Sequence, residues 1–417
     1  MIRRFVNLVV QNHESRMYSL HRLDVAKHLF YPSTADAEAA AATNASNNAS
    51  DGRVGGGTPK PQMIERLRRL PAPSMRFQPS PEVADPPVVG DMFMLLSPRS
   101  SESSILHTSS DGHALLYDAD SCSASTMPGF NEPEQPIPVA IAAAAGPRDQ
   151  ERESLYMMTS VDHSHGFKVL DVGRYHHPPR WKPLPPPPFA GDDSITFCEI
   201  TSFTAVDGGR TICVSCEEPG VVDKGYGGFG FGSGVINRTY CFDTASHEWR
   251  RAGEWALPFN GRAEYVPEIN TWVGFSALYP HHLCSSDLSA VAAMGAPLEA
   301  PTLEHVWEDL SLPPDEEVSS VLHRRFPGIV HRMTTEWRPE CLGLVNLGSG
   351  RFCVAKAVQV MQNLSLCYCY ENVGKPRAEF AVLTGVEVVR RGEGELRMVK
   401  HKSKRYVFTS DKIKWVF

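Results

Sequence analysis

The sequence predicts an all-β protein, and more specifically a kelch-like β-propeller of about six blades. Short apolar or alternating runs of strand length recur along the chain, each bounded by Gly, Pro, Asn, Asp or Ser. Glycine and proline contribute 32 and 33 of the 417 residues, above their usual combined share of about 12%, which indicates many turns. A unit of strand, Asp turn, Trp strand and Leu-Pro exit also repeats.

The predicted strands are rich in Val, Ile, Tyr, Phe and Cys. Clear examples are Phe5–Val10, Met17–Leu23, Met92–Leu96, Ala114–Asp118, Leu155–Met158, Phe167–Leu170, Ile212–Ser215, Thr239–Asp243, Trp272–Phe275, Arg351–Ala355, Ala381–Val389 and Tyr406–Thr409. Roughly two dozen such runs, at four strands per blade, give about six blades. A pair of β-sandwiches remains an alternative, and a parallel α/β core is disfavoured.

The repeat is clearest where Tyr240-Cys-Phe-Asp243 is followed by Trp249 and then by Leu257-Pro258. Echoes of it are Leu115–Asp120 with Met127-Pro128, Val169–Val172 with Trp181 and Leu184-Pro185, and His282–Asp287. The intervals between the aspartates at 118, 171, 243 and 287 bracket the kelch period of about 50 residues. We expect each Asp to cap a hairpin, each Trp to pack between blades and each Leu-Pro to end the ladder.

A single domain over residues 1–417 is predicted, with a disordered, flexible insertion at 35–59. That insertion is rich in Ala, Asn and Gly, and Val54 is its only large aliphatic residue, so it cannot bury much apolar area. Transient helix is expected at Ala35–Ala42. A second soft region spans Ala296–Arg338, in which Thr302–Leu310 fits either a short helix or a strand.

The two ends of the chain are predicted to share a blade. The first strand, Phe5–Val10, and the last, Ile413–Phe417, are both apolar, and an open ring would leave aggregation-prone edges. Trp415 and Phe417 should then pack against neighbouring blades.

The sequence predicts an intracellular protein, because no segment fits a secretory signal or a membrane span. The formal net charge is −7, which favours neither nucleic acid nor an anionic membrane as a partner. Phe5–Val10 is too short for a signal-peptide core, and the apolar run Ile137–Gly146 is too short to cross a bilayer. Ten cysteines are too few for a disulfide scaffold. We expect a monomeric cytoplasmic protein, with a nuclear location as the alternative.

Several stretches resemble an uncharacterised family of cereal-grass proteins that carry a plant domain of unknown function. They include Phe5-Val-Asn-Leu-Val-Val10, Leu29-Phe-Tyr-Pro-Ser-Thr34, Leu70–Phe77, Tyr240–Asp243, Glu248–Gly253, Ala263–Pro267, Leu344–Phe352 and Val399–Phe408. The family is similar in appearance to kelch-type and F-box-associated propellers, so the resemblance implies a propeller. It implies no catalytic residues. One departure from kelch repeats is that Gly208-Gly209 precedes its strand.

Cysteine and histidine clusters are interpreted as structural, and no metal or cofactor is predicted. Cys213 and Cys216 would point to opposite faces of one strand, which does not suit a shared metal. The spacing of Cys367 and Cys369 fits packing in the core as well as it fits metal binding. The histidine groups are His163/His165 beside Asp162, His176-His177 and His281-His282. We expect these histidines to be solvated loop residues.

The glycine-rich segment Gly225–Gly230 matches a dinucleotide-binding pattern but is followed by a strand where that pattern needs a helix. Its aromatic residues, Tyr226, Phe229 and Phe231, are a candidate contact surface. The sequence carries no recognisable catalytic signature, so it does not predict an enzyme.

Two further segments have competing interpretations. The basic run Lys400–Arg405 is expected to be a solvated hairpin edge, with nuclear import or nucleic-acid contact as alternatives. The proline run Pro183–Pro188 is expected to connect two blades rather than to bind a polyproline-recognising domain.

The predicted function is a non-enzymatic β-propeller scaffold that binds an unknown protein partner. The alternatives are an enzyme with an active site assembled from propeller loops, and a nuclear regulatory factor that uses the basic C-terminal segment.

Overall fold

The computed structural model describes residues 2–51, 65–66, 69–79, 91–97, 101–109, 112–129, 135–144, 153–161, 164–171, 179–190, 198–219, 235–292, 299–310, 317–320, 331–366, 369–392, 395–408 and 410–417. Most of these residues lie in β-strands, and none of the five sheets that they form closes on itself. The all-β prediction is confirmed.

The strands fall into three groups along the chain. The first contains β1 (Phe5–Asn12), β2 (Tyr18–Asp24), β3 (Glu65–Arg66) and β4 (Met75–Phe77). The second contains β5 (Met92–Leu95), β6 (Ser104–Thr108), β7 (Ala114–Asp118), β8 (Ser123–Met127), β9 (Gln135–Ala144), β10 (Glu153–Val161), β11 (Ser164–Asp171), β12 (Arg180–Pro183), β13 (Glu199–Val206), β14 (Thr211–Pro219), β15 (Val235–Asp243), β16 (Glu248–Gly253), β17 (Phe259–Val266), β18 (Thr271–Ser276), β19 (Leu283–Ser286) and β20 (His305–Trp307). The third contains β21 (Glu317–Ser320), β22 (His331–Gly348), β23 (Arg351–Leu366), β24 (Cys369–Arg391), β25 (Glu395–Phe408) and β26 (Asp411–Val416).

Two α-helices, α1 (Val25–His28) and α2 (Thr34–Asp51), follow β2. Short 3-10 turns occupy Pro188–Ala190, Asp207–Gly209, Ser289–Ala292 and Glu308–Leu310. Among the described residues, no helix combines the length and the apolar character that crossing a bilayer requires.

The chain divides into two compact units. We call Pro79–Leu310 the central unit, and Ile2–Gln78 with Ser311–Phe417 the terminal unit. No sheet is divided between the two units. The single domain predicted for residues 1–417 stays a prediction.

The central unit contains four meanders of four strands: β5–β8, β9–β12, β13–β16 and β17–β20. Their first strands are neighbours in series, because β9 contacts both β5 and β13, and β13 pairs with β17. The β13–β17 pairing is short and parallel, joining Ser202 to Gly261 and Phe203 to Arg262. It merges the last two meanders into one eight-stranded sheet.

Three apolar layers separate these four meanders. The first lies between β5–β8 and β9–β12, the second between β9–β12 and β13–β16, and the third between β13–β16 and β17–β20. Alternate residues of one strand serve two layers: Met157 belongs to the first and Met158 to the second. Burying a large side chain such as Phe242, which is wholly inaccessible, contributes about 1.5–3 kcal/mol.

Two of the four repeated aspartates, Asp118 and Asp243, cap hairpins as predicted, and Asp287 caps a 3-10 turn. Asp243 Oδ1 accepts hydrogen bonds from the backbone N–H groups of Ala245 and Ser246, at 2.8 and 3.0 Å. Asp118 Oδ1 accepts equivalent bonds from residues 120 and 121, and Asp287 accepts one from Ser289. Asp171 instead pairs with Lys182 at 2.5 Å.

The repeated tryptophans bind the exit of the preceding meander. Trp181 Nε1 on β12 donates to the carbonyl of Pro128 at 3.0 Å, and Trp249 Nε1 on β16 donates to that of Pro185 at 2.9 Å. Each proline belongs to the Leu-Pro or Met-Pro exit predicted from the repeat. The indole therefore fills the apolar layer and satisfies a carbonyl that the ladder leaves unpaired.

The terminal unit contains two sheets, with strand orders β21-β22-β23-β24-β25-β3 and β26-β1-β2-β4. Strand β1 pairs with both β2 and β26, so the two ends of the chain share one sheet as predicted. The core of the unit lies between the sheets and includes Val6, Leu8 and Leu29 against Cys353 and Leu383.

The C-terminal residues that anchor this closure differ from those predicted. Trp415 and Phe417 are only half-buried, although Trp415 meets Tyr18 edge-on with the ring centroids 5.8 Å apart. Ile413 is the buried residue of β26 and packs beside Val10. The pairing of β26 with β1 shifts register between Ile413 and Trp415, so these two residues do not follow the regular alternation that would turn both of them inward.

The expected disorder at 35–59 is wrong for its first part, because α2 spans Thr34–Asp51. Ala37 is buried, and Glu38 forms ion pairs with Arg391 and Arg397. The helix packs on β25. The buried Ala37 and the ion pairs of Glu38 therefore order a segment that has almost no large apolar residues. Residues 52–59 lie outside the described part of the chain.

The undecided segment Thr302–Leu310 contains both predicted types of structure. Strand β20 (His305–Trp307) pairs with β19, and a 3-10 turn at Glu308–Leu310 follows. The run Ile137–Gly146 overlaps β9 and is a strand as far as Ala144.

We predict that the packing of α2 is sensitive at Ala37. Ala37→Asp buries a carboxylate and should lower the free energy of unfolding by about 1–3 kcal/mol, measured by urea denaturation. The matched control Ala39→Asp has the same helix propensity at an exposed position and should cost less than about 1 kcal/mol. Equal effects would show that α2 does not pack through Ala37.

We predict that removing Asp411–Phe417 yields insoluble protein, because it exposes the edge of β1. The milder Ile413→Ala should remain soluble and lose about 2–5 kcal/mol, whereas exposed Lys414→Ala should change stability by less than about 0.5 kcal/mol. Soluble, cooperatively unfolding truncated protein would contradict the closure.

Candidate functional site

One end of the β13–β20 sheet carries exposed apolar side chains. Because β13 and β17 run parallel, the start of β15 and the β18–β19 turn lie at the same end of the sheet. Val235, at the start of β15, is 54% exposed, and the β18–β19 turn presents Leu278 at 80% and Tyr279 at 61% exposure. We call these three residues the apolar end.

The β18–β19 turn is held by a dense set of hydrogen bonds. Ser276 Oγ donates to the carbonyl of Leu278 and accepts from the N–H of His282, both at 3.0 Å. The His281 ring lies 3.0 Å from the Ser276 carbonyl and 3.1 Å from the amide of Asn260 on β17. The turn therefore presents Leu278 in a fixed position, which reduces the entropy lost when a partner binds.

These contacts correct one interpretation of the histidine groups. His281 and His282 are half-buried parts of the turn rather than solvated residues. His163, Asp162 and His176-His177 lie outside the described residues. His165 is in β11, and its side chain is not described.

The glycine-rich segment Gly225–Gly230, with Tyr226, Phe229 and Phe231, also lies outside the described residues. Its neighbours are described, and β14 before it and β15 after it form an antiparallel pair. The strand predicted at Thr239–Asp243 is part of β15, in the place where a dinucleotide site needs a helix. Gly208 and Gly209 lie in the turn before β14 with positive φ of 64° and 96°, as their predicted turn position requires.

Cysteines form two close pairs around β14. Cys213 belongs to the third apolar layer and Cys216 to the second, so the prediction that they point to opposite faces is confirmed. Cys213 Sγ lies 3.0 Å from Cys241 Sγ on β15, whereas Cys216 is hydrogen-bonded with Cys198. Cys367 lies outside the described residues, and the side chain of Cys369 is not described. Within the described part of the chain, no group of three or more His, Cys, Asp or Glu side chains is placed to hold a metal.

The ionisation of the two pairs differs. A hydrogen bond from the Cys213 thiol, helped by the charge of Arg250, lowers the pKa of Cys241. The same bond and burial raise the pKa of Cys213 well above its usual value. The hydrogen bond with Cys198 and burial raise the pKa of Cys216 strongly.

A cavity of about 290 Å³ lies at the β6–β7 turn of the central unit. It is lined by His107, His113, Ala114, Leu115, Thr126, Met127 and Gly129. Buried Asp91 places Oδ2 3.2 Å from His107 Nε2, and the His107 ring stacks on Phe93 with centroids 4.5 Å apart. Stacking on Phe93 fixes the orientation of the imidazole beside this carboxylate, and an imidazole can act as a base or a hydrogen-bonding group.

Two glycines shape this cavity. A Cβ atom at Gly129 would lie 1.8 Å from the carbonyl oxygen of Gly112. The two backbones can approach only because residue 129 has no side chain. Gly112 also has a φ of 88°, in the tight turn predicted from Asp111-Gly112.

A second cluster of buried ionisable groups lies in the terminal unit. Glu387 on β24 accepts hydrogen bonds from Thr34 Oγ1 at 2.6 Å and Arg351 Nε at 3.2 Å, and its Oε2 lies 3.3 Å from His401 Nε2. The backbone N–H of Tyr31 donates to His401 Nδ1, so the proton of the neutral ring is on Nε2, facing Glu387. The cluster fixes the segment before α2 to β23, β24 and β25.

The surroundings shift both pKa values downward. Burial lowers the pKa of His401, although Glu387 partly opposes this effect. Burial alone would raise the pKa of Glu387, but the hydrogen bond from Thr34 and the charge of Arg351 outweigh it and lower the pKa. His401 is therefore kept neutral and Glu387 ionised.

The basic run Lys400–Arg405 is not a solvated edge. It lies within β25, which pairs with β24 and, through Lys404 and Arg405, with β3. Lys404 is buried, Lys402 lies over the ring of Tyr31 at 4.9 Å, and Arg405 lies over that of Phe380 at 4.1 Å. Lys402, Lys404 and Arg405 therefore pack within the terminal unit.

The proline run Pro183–Pro188 connects β12 to β13, between two meanders, as predicted. The carbonyl of Pro185 accepts the Trp249 bond, Leu184 packs into the second apolar layer, and Pro187 is buried.

We predict that acidification destabilises the terminal unit through His401. Its pKa when folded is below the unfolded value of about 6.5, so the unfolded chain binds the proton first and stability falls as pH drops below about 6.5. The Glu387 contribution is lost only at lower pH, because its folded pKa lies below the unfolded value. Between pH 7.5 and 5.0 the melting temperature of His401→Gln should fall about 3 °C less than that of the unmodified protein.

Exposed His13→Gln is the matched control and should keep the full pH dependence. Some dependence remains in His401→Gln, because burial also lowers the pKa of His21. Identical pH profiles for His401→Gln and the unmodified protein would contradict this assignment.

Comparison with solved structures gives only weak likenesses. A dihydro-heme d1 dehydrogenase, NirN, in complex with DHE shares 10% identity, with 97% of this chain and 75% of that chain covered and a TM-score of 0.28. A lipopolysaccharide binding protein shares 9% identity, with 72% and 75% covered and a TM-score of 0.17. Scores this low carry no argument about fold or function.

The sequence matches no curated protein. It does match one family model, described as protein of unknown function (DUF1668), over residues 3–406. This match confirms the part of the sequence resemblance that concerned a domain of unknown function. Since it spans nearly the whole chain, the protein belongs to the DUF1668 family of proteins of unknown function.

Proposed function

We propose that this protein is a non-enzymatic interaction scaffold, a kelch-like propeller of six blades that binds a protein partner through the apolar end. It acts as a monomer in the cytoplasm. The observation that carries the proposal is the β18–β19 turn, which holds Leu278 and Tyr279 exposed on a rigid backbone.

Counting meanders supports six blades. The central unit contributes four, and the terminal unit contributes β22–β25 and the mixed sheet β26-β1-β2-β4. In the terminal unit the first strands of these two meanders, β22 and β26, are neighbours. Glu340 pairs with Lys412, and Cys341 Sγ lies 3.6 Å from the Lys414 carbonyl. The same succession of first strands runs through the central unit, as expected around a propeller axis.

The chemistry of the apolar end fits a protein partner. The exposed Leu278 can insert into an apolar pocket beside Tyr279, and tyrosine is among the residues that dominate binding energy at protein interfaces. The turn is already ordered, so less entropy is lost on binding. The expected partner presents an apolar cleft with a polar rim that can reach the Tyr279 hydroxyl.

We predict that Leu278→Ala/Tyr279→Ala weakens partner binding at least about tenfold, because it removes both anchors. Partners are captured from cell extract on immobilised protein, identified by mass spectrometry and then titrated as purified proteins. The control is Leu303→Ala/Val306→Ala, which removes two other exposed apolar residues, beside and within β20, at 38% and 44% exposure.

The control should bind like the unmodified protein, and both variants should keep its melting temperature within about 2 °C. Partners that bind all three proteins equally would contradict a role for the apolar end.

A second candidate function is an enzyme or small-ligand site at the β6–β7 cavity. The favouring observation is the oriented Asp91–His107 pair beside the cavity. Elemental analysis, absorbance and mass spectrometry of the purified protein test it by seeking a bound metal or small molecule. His107→Gln should release such a molecule, and Leu278→Ala should retain it.

A further inference from the structure

Two buried cysteines face each other across neighbouring strands of the central unit. Cys213 on β14 is the register partner of Cys241 on β15, and both side chains are fully inaccessible. Their Sγ atoms lie 3.0 Å apart. Facing residues of antiparallel strands have Cα atoms about 4.5–5.5 Å apart, within the range that a disulfide spans. A bond between them therefore needs no movement of the strands.

The surroundings of the pair distinguish a nucleophile from its partner. The hydrogen bond between the two sulfurs and the charge of Arg250, the register partner of Cys241 on β16, both lower the pKa of Cys241. Both effects favour the thiolate form at Cys241, and the thiolate is the form that reacts with oxidants. Cys213 keeps its proton because burial and the neighbouring sulfur raise its pKa.

We propose that Cys213 and Cys241 are an oxidative modification site, at which hydrogen peroxide converts two thiols into an intrachain disulfide. The Cys241 thiolate attacks one peroxide oxygen, the O–O bond breaks, and hydroxide leaves and is protonated to water. Cys241 is then a sulfenic acid. The Cys213 sulfur attacks the Cys241 sulfur, the S–O bond breaks, and the Cys213 proton completes the second water. Two thiols lose two electrons, and one peroxide becomes two waters.

Other cysteines of the central unit provide internal comparisons. Cys216 and Cys198 also form a close pair, but both the hydrogen bond between them and burial hold Cys216 in the thiol form. Cys284 lies in the same apolar layer as Cys213, and its sulfur donates to the Gly274 carbonyl. Cys122 is exposed and reports whether the oxidant is active.

The test maps disulfides in the full-length protein. Reduced protein is treated with hydrogen peroxide for several hours in native buffer, and the remaining thiols are alkylated after unfolding. Trypsin separates the peptides 211–224 and 239–250, which hold Cys213 and Cys241. We expect a disulfide between Cys213 and Cys241 to join these two peptides. Its yield should be about ten times the yield of any Cys198–Cys216 disulfide. Dithiothreitol should abolish the link.

Cys241→Ala should lose the linked pair, whereas Cys284→Ala, which removes a thiol from the same layer, should retain it. Mapping of the unmodified protein decides the matter even where a variant fails to fold. Recovery of both cysteines as alkylated thiols, under peroxide that oxidises Cys122, overturns the proposal. A link that joins Cys216 instead of Cys213 to Cys241 also overturns it.

Discussion

Packing between successive meanders is the interaction on which the central unit depends. The two inner meanders, β9–β12 and β13–β16, have apolar residues on both faces, so each is complete only when the meanders before and after it cover those faces. The Trp181–Pro128 and Trp249–Pro185 hydrogen bonds repeat at equivalent places and fasten the last strand of one meander to the exit of the one before. Exposed features such as the β18–β19 turn are held on this framework.

The sequence predicted structural roles best for residues whose role depends on their own side chain and on the adjacent backbone. Asp243, Trp249 and Leu257-Pro258 each have one dominant structural role, and those roles were predictable from strand ends, indole size and the missing N–H of proline. Helix α2 was not predictable, since its order depends on Glu38 meeting two arginines that come more than 350 residues later in the chain. An alanine-rich segment contains no local sign of such partners.

The candidate sites show the same limit. Leu278 and Tyr279 interrupt a run of turn residues, so their apolar character beside Pro280 was a visible signal. The Asp91–His107 and Glu387–His401 pairs gave none, because a histidine within an apolar strand resembles a core residue until the neighbouring strand is placed. The role of Lys400–Arg405 was likewise set by strand pairing and by the aromatic rings beside it rather than by its charge.

Closure of the chain through β26 and β1 has a consequence for synthesis in the cell. Strand β1 leaves the ribosome before its partner β26, which follows roughly 400 residues later, after about 20 to 80 s at ordinary elongation rates. During that time Leu8, Val9 and Val10 have β2 on one side and no strand on the other. The β1–β26 part of the terminal unit therefore forms only after β26 has been synthesised, and until then the unpaired edge of β1 is exposed to chaperones and to aggregation.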